Sequence, residues 1–214
     1  MLINFACVRL LSGGAYFTAG LAETRQWGLF NLYPLPEWFA TTAGFVILDF
    51  AIYLQHRLFH RVPIFWRLHK VHHTDLGFDT TTAIRFHPAE IVLSMYYKML
   101  LVLAFGLSQE AVLVFEIALN ACALFNHGNV RLPGRWEGRI RRLLIKTDLH
   151  RIHHSSYKPE TDSNFGFSVP FWDRWCGTYR DAPALGQEGM EIGLRETRGW
   201  RKLGLPRLLS LPFS

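Results

Sequence analysis

The chain has 214 residues, of which 50% are apolar, 14% aromatic and 19% charged, and its formal net charge is +6. This is room for one domain, residues 1–214, in a mix too charged for a bare bundle of spans and too apolar for an ordinary soluble protein. Three widely spaced cysteines, Cys7, Cys122 and Cys176, exclude a disulfide framework and a thiolate metal site, and the basic residues are too localised to indicate nucleic acid.

From the N-terminus, Leu2–Leu21 is an apolar stretch interrupted by Arg9 and the Gly13–Gly14 pair. No small-residue cleavage site follows it, so it reads as a weak membrane span and not as a signal peptide. Trp38–Leu54 is a stronger span with one acid, Asp49. Ile91–Leu107 and Ala111–Phe125 come next, separated by Ser108-Gln109-Glu110, and carry Lys98 and Glu116. A charge at membrane depth costs on the order of 3 kcal/mol unless it snorkels or finds a partner, and these stretches lie near the roughly 17 residues needed to cross a bilayer. The expectation is an all-α integral-membrane fold with about four transmembrane or deeply inserted helices. Buried helices of a soluble bundle are the competing reading. There is no internal repeat or low-complexity run, and the tail 181–214 reads as a membrane-surface segment or a loosely packed end.

The placement of positive charge favours the membrane. Gln55–Pro88 holds Arg57, Arg61, Arg67, Lys70 and Arg85 against two acids. His127–Lys158 holds Arg131, Arg135, Arg139, Arg141, Arg142, Lys146, Arg151 and Lys158, again against two. The connector Ala22–Glu37 has one base, and the turn Ser108–Glu110 has none. By the positive-inside rule both basic segments and the N-terminus face the cytoplasm. Those two basic segments also carry the histidine clusters.

Ten histidines are the anomaly of this sequence. His56 and His60 are four apart and continue the second span. His69, His72 and His73 form a second box, and His150, His153 and His154 a third. Residues i and i+4 share a helix face and i+3 lies beside them, so one helical turn offers two or three imidazoles to a common centre. Eight imidazoles are costly to bury without partners, whereas a multivalent cation gives each a partner, neutral imidazole being a good ligand for iron, zinc, copper and nickel. One ion takes four to six ligands, so two ions is the simplest count. Paired Glu-x-x-His motifs are absent, which separates the pattern from carboxylate di-iron bundles, and no HExxH motif supports a zinc peptidase.

The order HxxxH, HxxHH, HxxHH with a helical hairpin before the last box resembles the fatty acid hydroxylase / sterol desaturase superfamily of membrane di-iron oxidases. Further stretches are similar: Asp49-Phe-Ala-Ile-Tyr53, Trp66-Arg-Leu-His69, Arg85-Phe-His87-Pro88-Ala-Glu90, Phe125-Asn-His127-Gly-Asn129, Asn164-Phe-Gly166 and Trp172-Asp173-Arg174-Trp-Cys-Gly177-Thr178. The resemblance covers about 36–180. Thr147 stands where the family has a proline, and Cys176 where it has an aromatic residue.

The resemblance implies transmembrane helices with a cytosolic helical cap in which histidines hold two iron ions. The implied ligands are His56, His60, His69, His72, His73, His150, His153 and His154, with His127 at a position that often supplies one more. His87 sits in a family motif, and the following Pro88 and the coming helix favour a capping or supporting role over that of a direct ligand. The implied activity is O2-dependent hydroxylation or desaturation of a fatty acyl, sterol or related lipid. Electrons would come from a separate protein, a cytochrome b5- or ferredoxin-type donor with its reductase, because the chain carries no motif for such a cofactor. A bacterial inner membrane is the expected location. A membrane zinc-binding hydrolase or metal transporter is the alternative. Asp49, Asp148 and Asp173 are candidates to orient ligand rings. Asn126 and Asn129 lie close to His127 for hydrogen bonding or a turn. Trp66, Trp172 and Trp175 read as interface anchors.

Overall fold

The computed structural model describes residues 2–33, 35–130, 134–199 and 204–214, and for 2–12 and 134–135 the backbone alone. Arg131 and the side chains of Cys7, Arg9 and Arg135, used in the charge and cysteine readings, lie outside the described residues. Among the described residues there is no β-strand, only an isolated bridge between Ser155 and Ile192.

The helices in chain order are α1 (Leu2–Arg25), α2 (Glu37–Arg61), α3 (Pro63–His69), α4 (Pro88–Phe105), α5 (Gln109–Asn126), α6 (Gly134–Leu143), α7 (Thr147–His153), α8 (Lys158–Thr161), α9 (Phe171–Trp175), α10 (Gly186–Gly189) and α11 (Leu205–Ser210). Short 3-10 turns lie at Leu29–Leu32, His72–Thr74, Thr80–Ile84, Arg195–Thr197 and Leu211–Phe213. Among the described residues α2, α4 and α5 are long and apolar enough to cross a membrane. The weak first stretch is helical as α1 but is not one of the three.

The chain forms two compact units. The first comprises Met1–Ile52 with Pro88–Asn120. Here α1 packs along α4, and its buried positions Ala15, Thr18, Ala19 and Ala22 recur at helical spacing. Side chains this small allow close approach of two helices. The turn after α1 meets the end of α4 backbone to backbone. A Cβ at Gly28 (φ +91°) would stand 2.0 Å from the amide nitrogen of Gly106, so only glycine fits. Lys98 on α4 and Glu116 on α5, scattered in the sequence, form an ion pair with both side chains largely buried.

The second unit comprises Tyr53–His87 with Ala121–Ser214 and contains every histidine of the chain. Phe78, Ile152, Met190 and Ile192 make a buried apolar cluster in it. The described tail is packed rather than loose. The amide of Ser156 donates to the Glu191 carbonyl at 2.8 Å, and that of Gly193 to the His154 carbonyl at 2.9 Å. Leu211 and Pro212 are buried, and the turn Leu211–Phe213 rests on α3. Apolar residues spaced through a proline-rich segment obscure this docking in the sequence; residues 200–203 lie outside the described set.

Candidate metal centre

Helix α2 runs unbroken through His60, which puts His56 and His60 one turn apart on a single face. The second box straddles a helix end: His69 closes α3, while His72 and His73 lie in a 3-10 turn. The third box lies on α7, with His154 at its C-cap. His127 follows the last residue of α5.

These nine histidines converge, and each is at most 5% exposed. They divide into two groups, His56, His60, His69, His73 and His153, and then His72, His127, His150 and His154. Within each group the potential ligand atoms lie within 4.8 Å of one another. The expectation of one common centre per box needs correcting. Each i, i+4 pair (56/60, 69/73, 150/154) does share a group, but the middle histidine of each HxxHH box goes to the other group. His72 joins the group of His150 and His154, and His153 joins that of His69 and His73. Adjacent residues differ by about 100° around a helix, so neighbouring rings aim at different centres. The two boxes thereby interlock the groups.

The protonation pattern follows from burial and from the outer nitrogens. The Nδ1–H groups of His56, His127 and His153 donate to the carbonyls of Phe165 (2.8 Å), Ala123 (2.7 Å) and Ser163 (2.8 Å). His60 Nδ1 donates to Asp162 Oδ1 at 3.3 Å. Each of these rings, when neutral, then has a lone pair on Nε2. Burial, with neighbouring imidazoles pushing the same way, holds His72, His73, His150 and His154 well below the usual imidazole range. Burial likewise lowers His127 to about 4 and His153 to about 3. Neutral imidazole is the ligand form.

The ring nitrogens fit metal ions. His127 Nε2 stands 3.2, 3.3 and 3.0 Å from the Nε2 atoms of His72, His154 and His150, and His56 Nε2 stands 3.1 Å from His69 Nε2. Nε2 of His127 is only an acceptor, and three imidazoles cannot all donate to one lone pair. An imidazole–metal bond of about 2.1 Å sets adjacent ligand nitrogens about 3.0 Å apart at right angles and about 3.4 Å apart at tetrahedral angles. The three spacings from His127 in the second group fall in that interval. Nε2 of His60 and of His153, and both ring nitrogens of His73, are buried without a hydrogen-bond partner, which leaves donor atoms for a cation in the first group too.

Aromatic side chains wall the cluster. Phe86 stacks on His72 at 4.3 Å, Phe78 lies 4.9 Å from His154, and Phe165 and Phe167 lie 5.5 and 5.1 Å from His56. Trp66, expected as an interface anchor, instead sits 4.9 Å from His60 and 5.4 Å from His73. Trp172 is buried and Trp175 is exposed.

The C-terminal signature acts one step further out. Asp173 is fully buried and accepts the amides of Phe165 and Gly166, both at 2.8 Å, and the Thr178 hydroxyl at 2.7 Å. Burial raises its carboxyl above the usual range despite these bonds. A Cβ at Gly166 would stand 2.9 Å from Asp173 Oδ2 and 2.8 Å from the Val169 carbonyl. Asn164 (φ 52°) is tied to Thr178 and Arg180 through its amide and side chain. Asn164-Phe-Gly166 is thus clamped by Asp173 to Arg180, and the clamp fixes the Phe165 carbonyl on which His56 rests. Tyr53 joins it through a 2.8 Å bond between its hydroxyl and that of Thr178.

Of the orienting carboxylates expected from sequence, Asp173 acts through backbone and Asp148 pairs with Arg141 and Lys146. Asp49 is buried in the first unit, outside the unit that holds the histidines. One carboxylate bonded to a ligand candidate is Asp162, which sequence reasoning missed; its place eight residues after His154 was the available signal. The carbonyl partners leave no signature in sequence. Asn126 donates to the Phe167 carbonyl at 2.7 Å, and Asn129 is exposed. His87 lies outside both groups, with Nε2 3.3 Å from the Leu209 carbonyl.

Comparison with known proteins agrees with this architecture. The profile of the family described as fatty acid hydroxylase matches residues 41–178, a stretch that includes all nine clustered histidines. The ornithine lipid hydroxylase OlsE of Rhizobium tropici is 27% identical over 179 residues, covering 84% of this chain and 52% of its own length. The alkylglycerol monooxygenase of Xenopus tropicalis is 28% identical, with 72% and 34% covered, and the Delta(7)-sterol 5(6)-desaturase of Eremothecium gossypii 29% identical, with 66% and 38% covered. The chain therefore spans about half the length of the first relative and little more than a third of the other two. No solved structure matches it. With its histidine boxes spaced and clustered within the matched region, the chain belongs to the fatty acid hydroxylase family of the sterol desaturase superfamily.

Proposed function

We infer that this membrane protein oxidises a lipid: it uses O2 to hydroxylate or desaturate an unactivated C–H bond at a histidine-ligated di-iron centre. The observation that carries the reading is the pair of buried, interlocked histidine groups, nine imidazoles in all. That is more than one ion takes, and the rings are mostly neutral and oxygen-poor, a donor set suited to iron among the late first-row metals. His56, His60, His69, His73 and His153 would hold one iron, and His72, His127, His150 and His154 the other. Bound there, the two irons supply reduction of O2 and the oxidising power to break a C–H bond.

The chain's own residues prepare that chemistry. The Phe165, Ser163 and Ala123 carbonyls and Asp162 fix the rings that they hold, as the outer partners of ligand histidines do. Phe78, Phe86, Phe165, Phe167 and Trp66 exclude water from the rings they touch. Exclusion of water protects an oxidising site from side reactions.

The substrate is a lipid, as the names of the ornithine lipid, alkylglycerol and sterol relatives support. Electrons come from a separate cytochrome b5- or ferredoxin-type protein with its reductase. The location is a bacterial inner membrane, and the Lys and Arg distribution supports an N-terminus and histidine-bearing segments on its cytoplasmic side. A transporter would line its helices with free ionisable groups, whereas Lys98 and Glu116 are spent on each other. A zinc hydrolase uses three protein ligands and an open position, against nine converging imidazoles here.

The test is to express the chain and its His150→Ala variant under isotopically labelled O2 and profile the lipids by mass spectrometry. The expected result is a lipid species that gains labelled oxygen, or loses two hydrogens, with the parent chain alone. Identical lipid profiles, with both proteins inserted and electron donors supplied, would overturn the reading.

A further inference from the structure

Helix α6 faces the wrong way for a surface helix of a soluble domain. Such a helix turns its apolar stripe toward the core. In α6, Trp136, Ile140 and Leu143 recur at i, i+4 and i+7 and form one stripe. Yet Trp136 is 47% exposed, Leu143 70%, and Leu144 just beyond the helix 43%. It is the polar stripe that holds α6 to the protein. Glu137 pairs with Lys146 at 3.0 Å, and Arg141 with Asp148 at 3.7 Å and Asp181 at 3.5 Å.

Neighbouring side chains extend the outward apolar surface. The guanidinium of Arg174 on α9 donates to the carbonyls of Arg142 and Arg141 at 3.4 and 3.5 Å, which ties α9 to the end of α6. On α9, Phe171 and Trp175 are 57% and 67% exposed. Arg139 and Arg142 flank the stripe, both exposed. The Arg139 guanidinium lies 5.8 Å from the centre of the Trp136 ring, within cation–π range.

We propose that α6 and α9 form an interfacial element that lies on the surface of an anionic bilayer, with Trp136, Ile140, Leu143, Phe171 and Trp175 among the acyl boundary and Arg139 and Arg142 at the lipid phosphates. Three observations select this occupant over a protein partner. Tryptophan and phenylalanine beside arginine are the side chains that settle at a headgroup layer. The exposed cations of the patch, Arg139 and Arg142, complement anionic lipid. Seven residues separate α5, a helix of spanning length, from α6, so even fully stretched chain leaves the start of α6 within about 28 Å of the end of α5. Neither the metals nor the reaction enters this reading.

Site-directed spin labelling of the full chain tests it. Cys7, Cys122 and Cys176 are changed to serine, one cysteine is introduced by Leu143→Cys or, on the water-facing side of the same helix, by Gly138→Cys, and each protein is reconstituted in phosphatidylcholine vesicles with phosphatidylglycerol. At position 143 we expect collisions with O2 to rise, and collisions with a water-soluble nickel chelate to fall several-fold below those at 138. Without phosphatidylglycerol that exclusion weakens. Equal nickel access at both positions would overturn the proposal. So would an immobile label at 143 that neither reagent reaches, or dipolar broadening from a second copy. Equal values with and without anionic lipid would remove the role given to the arginines.

Discussion

In the first unit the buried cation Lys98 meets the largely buried anion Glu116, and the two charges cancel within the chain. In the second unit nine imidazoles are buried against one another, and their leading outer partners are backbone carbonyls and Asp162. The first arrangement is complete as it stands. The second places neutral bases around two centres, a donor set that cations from outside would complete on the proposed reading. Burial of polar groups thus means closure in one unit and a binding site in the other, and what separates them is whether the partners carry opposite charge.

The sharpest way to break this contrast is to remove one imidazole. His72→Ala deletes a proposed ligand of the second group, and we expect loss of lipid oxidation and a fall in bound metal while the protein still inserts. Full activity in that variant would contradict the assignment. In the first unit, Lys98→Met strands Glu116 and should cost about 3–5 kcal/mol. The pair Lys98→Met with Glu116→Leu should recover most of that in a double-mutant cycle by denaturant unfolding. Losses that simply add would show that the two groups do not interact.

Acid should destabilise the second unit through its buried histidines. Unfolded histidine takes up a proton near pH 6.5, whereas folded His127 does so only at about 4 and His153 at about 3. The unfolded chain therefore binds more protons between those values, so stability of the metal-free protein is full above about pH 6.5 and falls as pH drops toward 3. A denaturation midpoint that stays flat from pH 7 to 4.5 would contradict this. A smaller effect is expected from Gly166→Ala, where the new methyl group meets Asp173 and the Val169 carbonyl. Overpacking of this kind costs about 1–3 kcal/mol, read as a shift of the unfolding midpoint. Smallest is Asp162→Asn, which loosens His60 from a half-exposed position and should lower metal affinity about 10-fold, measured by chelator competition.

The same contrast explains what was legible in the sequence. The helices α2, α4 and α5 show as apolar runs because length and hydropathy are local properties. The nine histidines show because i, i+4 spacing survives in any helix. Their division between two centres does not, because it depends on the end of α3 at His69 and on the 100° step between adjacent residues. Nor do the anchors: a carbonyl such as that of Phe165 or Ser163 has no side-chain identity, and Asp162 looks like any surface acid. Trp66 reads as an interface residue by type, and only the packing of α3 shows its ring against His60 and His73. The ion pair of Lys98 with Glu116 joins residues far apart in the chain, and hydropathy alone reads both as blemishes in a span.

The central claim is that the second unit is built to hold two irons. Purification in mild detergent from iron-57-grown cells, with elemental analysis and Mössbauer spectroscopy, tests it most directly. The account predicts close to two irons per chain with an antiferromagnetically coupled spectrum. A single zinc, or a well-folded protein that binds no metal when iron is supplied, would contradict it.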